Sequence, residues 1–324
     1  MSEHAAFEAA VALHRAELHV HCYRMLGSVY DADDALNDAL NDALNDAPDD
    51  ALLGAARELA GVEGGGELRA WLYKITTQAC LLRIAQRPRR LRPQDHAPAA
   101  SPELPVAAPI EGPMWIEPYP EDPEAQVAQR EHVELAFVAA LQHLPAIQRA
   151  VLVLGDVLGD AAREIAELLD TTVGSVNSAL PRARKKLEPR VPSVSQQATL
   201  RELGEAGQRE LVAAFVAAWE RRDVEALLEL LTPDVRFSMP PIPSWFDGRD
   251  AVGRFFAEQV FATAWRLVPM RASGQLAFAC YQGPDFRLGA LQVITVRGAA
   301  ICELTGFLDP AVHTRFGLAL QIGR

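Results

Sequence analysis

Apolar positions recur at helical spacing through the first part of the chain. Residues 6–28, AFEAAVALHRAELHVHCYRMLGS, keep this period with no proline and predict a helix. ALNDALNDALND then occupies 35–46, one four-residue word written three times. A period of four is close to the 3.6 of an α-helix, so Leu36, Leu40 and Leu44 nearly stack on one face. Asn and Asp fill the polar positions, although both compete for backbone hydrogen bonds inside helices. Pro48 predicts a stop or a kink. GVEGGGE (61–67) reads as a flexible connection, and LRAWLYKITTQACLLRIAQ (68–86) as another amphipathic helix ahead of the basic RPRRLRP.

The pattern fails over 93–122, which is rich in Pro and Ala and reads as a linker. MWIEPYP within it is too aromatic for a spacer and is expected to dock. Helical spacing resumes from about 123 to 188. TTVGSVNSALPRARKKL (171–187) has a Thr N-cap, a basic end, and Val173, Val176, Leu180 and Leu187 expected on one face. Preceded by AAREIAELLD, it predicts a helix–turn–helix. After a polar stretch at 189–205, one long helix (206–231) is expected. Strand-like runs follow at 235–239, 265–282, 288–296 and 299–308, with a short helix near 251–261. Helices followed by a meander imply a separate α+β domain.

Composition sharpens this picture. At 324 residues and 49% hydrophobic, the chain is of soluble globular type with two or three domains. No stretch approaches the roughly 18 apolar residues of a membrane span, and the N-terminus has no basic or apolar leader region, so a cytoplasmic protein with no membrane partner is expected. The net charge of -12 repels nucleic acid unless the cations are gathered locally. Cys22, Cys80, Cys280 and Cys302 stand singly, as buried reduced thiols do. His19, His21 and Cys22 are close in sequence, but on a helix His19 and Cys22 share a face that His21 does not. No metal is expected. With no Gly-rich phosphate loop, no cofactor is expected either.

LHVHCYRMLGSVYDADDAL, LRAWLYKITTQACL and LQHLPAIQRAVLVLGDVLGDAAREIAELLDTTVGSVNSAL resemble regions 2 and 4 of an extracytoplasmic-function (ECF) bacterial sigma factor. The tail, from FVAAWERRDVEALLELL through ICELTGFLDPAVHTRFGL, resembles a SnoaL-like domain, the cone-shaped fold of ketosteroid isomerase relatives. Some ECF groups carry this extension, and WIEPYP in the linker fits them. The resemblance implies two all-α sigma-type helical domains, the second with helix–turn–helix, and a C-terminal α+β cone. The expected divisions are 1–92, with 39–50 inserted, the linker 93–122, the second helical domain 123–190 and the cone 205–324. It also implies core RNA polymerase and promoter DNA as partners.

Two departures fall on working parts. ALNDALNDAPDD (39–50) interrupts the family helix that opens the promoter -10 element, adding Asp42, Asp46, Asp49 and Asp50. Reading single-stranded DNA needs aromatic platforms and cations. Here Ala55, Ala56, Ala60, Gly61 and Val62 fill the stretch, with Arg57 its only cation. The second departure is Pro181. It removes an amide donor and sets its ring against the Asn177 carbonyl, at a cost of about 3 kcal/mol or a kink. In the resemblance, Ser175, Asn177 and Ser178 face bases from the first turns. The basic end, Arg182, Arg184, Lys185 and Lys186, would be re-aimed. Weakened promoter recognition is the expectation.

Asp31, Asp33 and Asp34 read either as a solvated helix start or, in the resemblance, as the face that docks the polymerase. In the tail, Trp219, Met239, Trp245, Phe256, Trp265 and Tyr281 are expected to line a pocket for a small apolar ligand, or to be plain core. Asp250 reads as an N-cap, Asp234 as a turn residue and His313 as structural or catalytic. Asp247 follows two aromatics at the expected rim. Glu303 alternates with Ile301 and Thr305, which places all three on one face. A carboxylate inside an apolar cone has a raised pKa and serves as acid or base. The leading reading is a sigma factor modulated by its tail. The alternative is a cofactor-free isomerase, cyclase or hydrolase on a retained sigma scaffold.

Overall fold

The computed structural model describes residues 3–46, 66–112, 114–121 and 133–323. Two compact units are resolved, Met1–Arg90 with Ala136–Val191, and Leu91–Leu135 with Pro192–Arg324. The segments that resemble regions 2 and 4 therefore share one unit, and the linker packs with the cone.

In the first unit, α1 (Glu3–Leu26), α2 (Val29–Asp46) and α3 (Gly66–Gln86) form a helical bundle. The repeat is helical, and its two-residue apolar half explains why. Ala35, Leu36, Ala39, Leu40 and Ala43 are all buried. A word of four drifts only slowly around a helix, so successive Ala-Leu pairs stay on the core side. Burying Leu36 and Leu40 contributes about 1.5–3 kcal/mol each, which outweighs the poor propensity of the Asn-Asp halves. The polar halves are also held: Arg15 donates to Asn37 at 2.6 Å and Arg83 to Asp38 at 2.5 Å. Leu44 and Pro48 lie outside the described side chains. Gly27 closes α1 at φ +73°, where a Cβ would stand 3.2 Å from the Gln142 amide. Only glycine suits both the left-handed turn and that approach.

His21 is fully buried. Its Nε2 lies 2.9 Å from Thr77 Oγ1, and its ring meets Tyr73 edge-on. Burial, reinforced by Arg24, pushes its pKa down to about 3, so the imidazole is neutral in the fold. The helices of the second half of this unit include α4 (Ala146–Leu152), α5 (Ala162–Leu168) and α6 (Val173–Leu187). They attach to the bundle through polar contacts. Lys74 Nζ lies 2.6 Å from Asp170, and Gln142 donates to the Arg24 carbonyl at 3.4 Å.

The second unit is one six-stranded sheet in the order β2-β1-β6-β5-β4-β3. The strands are β1 (Leu231–Met239), β2 (Ile242–Asp247), β3 (Trp265–Ala272), β4 (Gln275–Gln282), β5 (Arg287–Arg297) and β6 (Ala300–Phe307). All pairs are antiparallel except β1 with β6. Helices α7 (Gln196–Arg221), α8 (Val224–Glu229) and α9 (Arg249–Glu258) cover one face with an aromatic-rich core.

Several sequence expectations change here. The single helix expected over 206–231 is two. Arg222 takes a left-handed conformation (φ 58°) and Asp223 starts α8, accepting the Ala226 N–H at 3.0 Å. The run 265–282 is a hairpin, turned at Ser273 and Gly274, both at positive φ. Asp234 lies in β1 and pairs with Arg297, and the cap of α9 is Gly248, with Asp250 in the first turn. His313, in the short helix α10 (Pro310–Arg315), is buried with Nε2 2.7 Å from the Phe307 carbonyl, a structural contact.

The linker docks as MWIEPYP suggests. Trp115 and Ile116 are buried, and Leu91 pairs with Trp115 as a β-bridge. Trp245 Nε1 donates to the Ala97 carbonyl at 2.7 Å, and Ala100 N–H to the Trp245 carbonyl at 2.8 Å.

Candidate functional site

The helix–turn–helix is assembled by local chemistry. Asp170 takes a positive φ of 48° in the turn, and Thr172 caps α6 by accepting the Ser175 N–H at 3.1 Å. Val176, Ala183 and Leu187 bury the inner face of α6. Val173 does not join them. It is 42% exposed, because it stands at the first helical position, before the helix meets its neighbours.

The outer face carries Ser175, Asn177, Ser178, Arg182, Arg184 and Lys185, all exposed. These six candidates thus lie along one helix, open to a partner. Arg184 is engaged by Asp156 at 2.5 Å, which holds its charge at one edge. Pro181 is also exposed, and α6 runs through it from Val173 to Leu187. The missing amide therefore leaves the Asn177 carbonyl without its helical donor on the outward side, where water can reach it.

The three candidate docking acids have different surroundings. Asp31 is buried between Arg87 and Arg90, with Arg90 Nη2 at 2.5 Å. Asp33 is half-buried, 3.1 Å from His19 Nε2, and Asp34 is exposed and meets Arg83 at 3.3 Å. Asp49, Asp50 and the stretch Ala55–Val62 lie outside the described residues. Among the described residues no cluster of His, Cys, Asp and Glu has the grouping of a metal site. His19 and His21 are turned to separate partners. No helix among them is long and apolar enough to cross a membrane.

In the cone, four of the six candidate pocket residues meet. Trp219, Met239, Phe256 and Trp265 belong to the aromatic cluster, with Trp219 edge-on to Phe256 at 5.2 Å and to Trp265 at 6.1 Å. Trp245 and Tyr281 stand on the opposite face. In the register, Phe246 opposes Phe237 in the core, so the next residue along each strand points away. The same alternation places Asp247, Arg236 and Glu303 in one transverse row on that outer face. Arg236 Nε is 3.8 Å from Asp247, and Gln94 of the linker donates to Glu303 at 2.8 Å.

Ile301 and Glu303 do not share a face. The irregularity between Thr295 and Val296 pairs Ile301 with Val296 and Glu303 with Thr295, so the alternation breaks. Ile301 is fully buried in the core, while Glu303 lies under the linker. A cavity of about 900 Å³ in this unit is bordered by Val212, Val216, Met270 and Leu276 from α7, β3 and β4, none of them a sequence candidate. The unbroken apolar run Leu267–Met270 in β3 is the available signal, but helix–strand grooves depend on how two elements lean, which no local pattern encodes.

With this geometry in hand, comparison with known proteins is specific. The sequence description of sigma-70 region 4 matches residues 134–187, and that of the SnoaL-like domain matches 212–306. The ECF RNA polymerase sigma factor SigG of Mycobacterium tuberculosis is 36% identical over 96% of this chain and 84% of its own length. SigJ of the same organism is 28% identical over 60% of this chain and 65% of its own. The crystal structure of M. tuberculosis SigJ superposes with a TM-score of 0.58 at 22% identity, covering 95% of this chain and 98% of that one. That likeness shows the fold.

Proposed function

The chain belongs to the ECF family of RNA polymerase sigma factors with a SnoaL-like C-terminal domain, and we propose that it binds core polymerase and reads promoters weakly, under modulation by that domain. The observation that carries this reading is α6. Its outer face presents Ser175, Asn177, Ser178, Arg182 and Lys185 together, which suits insertion into a major groove. On a chain of net charge -12, this local gathering of cations is what DNA approach requires.

Weakness has two sources. Pro181 interrupts the hydrogen-bond ladder next to the base-facing turns. The repeat adds carboxylates where a single strand needs cations, and carboxylates near phosphates repel it. Of the candidate docking acids, Asp34 is the one open to a polymerase surface, while Asp31 is already matched by two arginines.

A small apolar ligand in the cone is the second element of the proposal. One feature favours it: Trp219 Nε1 is buried among aromatic rings without an acceptor, an unmet donor that a ligand oxygen would satisfy. The enzyme alternative draws less support, since Asp247 and Glu303 face away from those rings.

Permanganate footprinting with core polymerase tests the reading. A promoter fragment bound at its -35 element with faint reactivity at -10 is expected. Strong -10 reactivity would remove the weakness from the proposal, and absence of any chain-dependent binding would remove the proposal itself.

A further inference from the structure

A cavity of about 320 Å³ opens in the first unit, where the ends of α1 and α3, the loop before α4 and the end of α6 meet. Its charge is unusual for an acidic protein. Arg83, Arg87, Arg89, Arg90, Arg149 and Lys186 line it, against the single carboxylate of Asp31. Asp31 answers Arg87 and Arg90, and Arg83 is answered by Asp34 and Asp38 outside the cavity. Three cations have no such answer among the described residues.

Arg149 is the most telling of the three. It is 3% exposed, yet its hydrogen bonds go only to neutral oxygens: the Met25, Gln142 and Leu144 carbonyls and the Gln142 amide, the last at 2.6 Å. Its Nε is buried with no partner at all. A desolvated guanidinium without a counter-charge is costly, and the nearby Arg89 adds repulsion. Arg89 donates to His143 at 3.2 Å, and Lys186 is exposed at the rim. The charge is therefore graded from an exposed rim to a buried floor.

We propose that this cavity binds a phosphate-bearing small molecule, its phosphoryl oxygens held by Arg89 and Lys186 at the rim, with the uncompensated charge of the Arg149 guanidinium attracting them from the floor. Guanidinium forks suit phosphate oxygens, and an ammonium adds a point charge at the rim. Ile84, Leu144 and Pro145 give the cavity an apolar side for the organic part of the ligand. The size fits the lower range of ligand pockets. A duplex backbone suits it less, because a rod as wide as a duplex cannot enter a cavity of about 320 Å³. Since the walls come from both halves of the unit, the ligand would bridge them and favour the closed arrangement by mass action. This inference does not depend on promoter reading.

The test is thermal unfolding of the full-length chain with inorganic pyrophosphate and with ADP, at ionic strength held constant with NaCl. Both ligands should raise the midpoint progressively at sub-millimolar to millimolar concentration. Arg89→Ala with Lys186→Ala, two exposed positions, should leave the unliganded midpoint within about 1 °C and weaken apparent affinity at least tenfold. No shift at 5 mM, an equal shift in the double variant, or an equal shift with sodium sulfate would overturn the proposal. So would displacement of pyrophosphate by a 20-base-pair duplex with the same variant dependence, which would make the site a DNA phosphate contact.

Discussion

Removing residues 39–50 from the repeat should leave the fold nearly as stable as before, whereas removing 39–48 should wreck the first unit. The reason is phase. Ala39, Leu40 and Ala43 occupy buried seats in α2 at 3–5% exposure. Deleting 39–50 removes three whole words and brings Ala51, Leu52 and Ala55 into those same seats. The chief cost is Gly54 at the exposed position of Asp42, about 0.5–1 kcal/mol for a helix interior. Deleting 39–48 instead delivers Asp49 to the seat of Ala39 and Asp50 to that of Leu40, with Leu53 crowding the seat of Ala43. Loss of a buried Leu costs about 2–5 kcal/mol, and a carboxylate put in its place adds a desolvation penalty. For a unit of this size, each kcal/mol moves the midpoint by roughly 2–4 °C. Differential scanning calorimetry should therefore place the 39–50 deletion within about 4 °C of the parent and the 39–48 deletion more than about 10 °C below it. Equal midpoints for the two deletions would show that the seats are not what holds α2, and the phase argument would fail.

Other expectations follow from single side chains. His21 has a depressed pKa, so the unfolded chain takes up its proton near pH 6.5 while the fold refuses it until about 3. Stability should fall as pH drops through that window, by roughly 2 kcal/mol between pH 7 and 5 at 1.36 kcal/mol per unit. His21→Gln should flatten this slope in urea titrations, and an unchanged slope would point to other groups. Pro181→Gln restores an amide donor towards Asn177 and should raise both helicity and affinity for a -35 duplex, read by circular dichroism and gel shift. No change in either would mean the proline is fully accommodated.

Much of this architecture is written locally. The Thr172 cap, the Asp223 cap and the Ser273-Gly274 turn are short-range chemistry. The docking of MWIEPYP was legible because Trp and Ile seldom stay exposed in a spacer. Strict alternation puts Glu303 on the face of Ile301, and a β-bulge, which depends on the partner strand, separates the two. Trp245 and Tyr281 looked like cone residues because an aromatic side chain suits either buried face of a sheet. The buried charge of Asp31 was hidden for a similar reason: its partners, Arg87 and Arg90, lie more than fifty residues away.

Run-off transcription with core RNA polymerase is the most direct test of the central claim that this chain directs initiation. Fragmented genomic DNA as template and sequenced transcript ends as readout remove the need to know a promoter beforehand. Chain-dependent transcripts from discrete start sites that share a -35 element are expected, at low yield, and increased by Pro181→Gln. Transcript ends indistinguishable from core polymerase alone, at saturating concentrations of the chain, would contradict it.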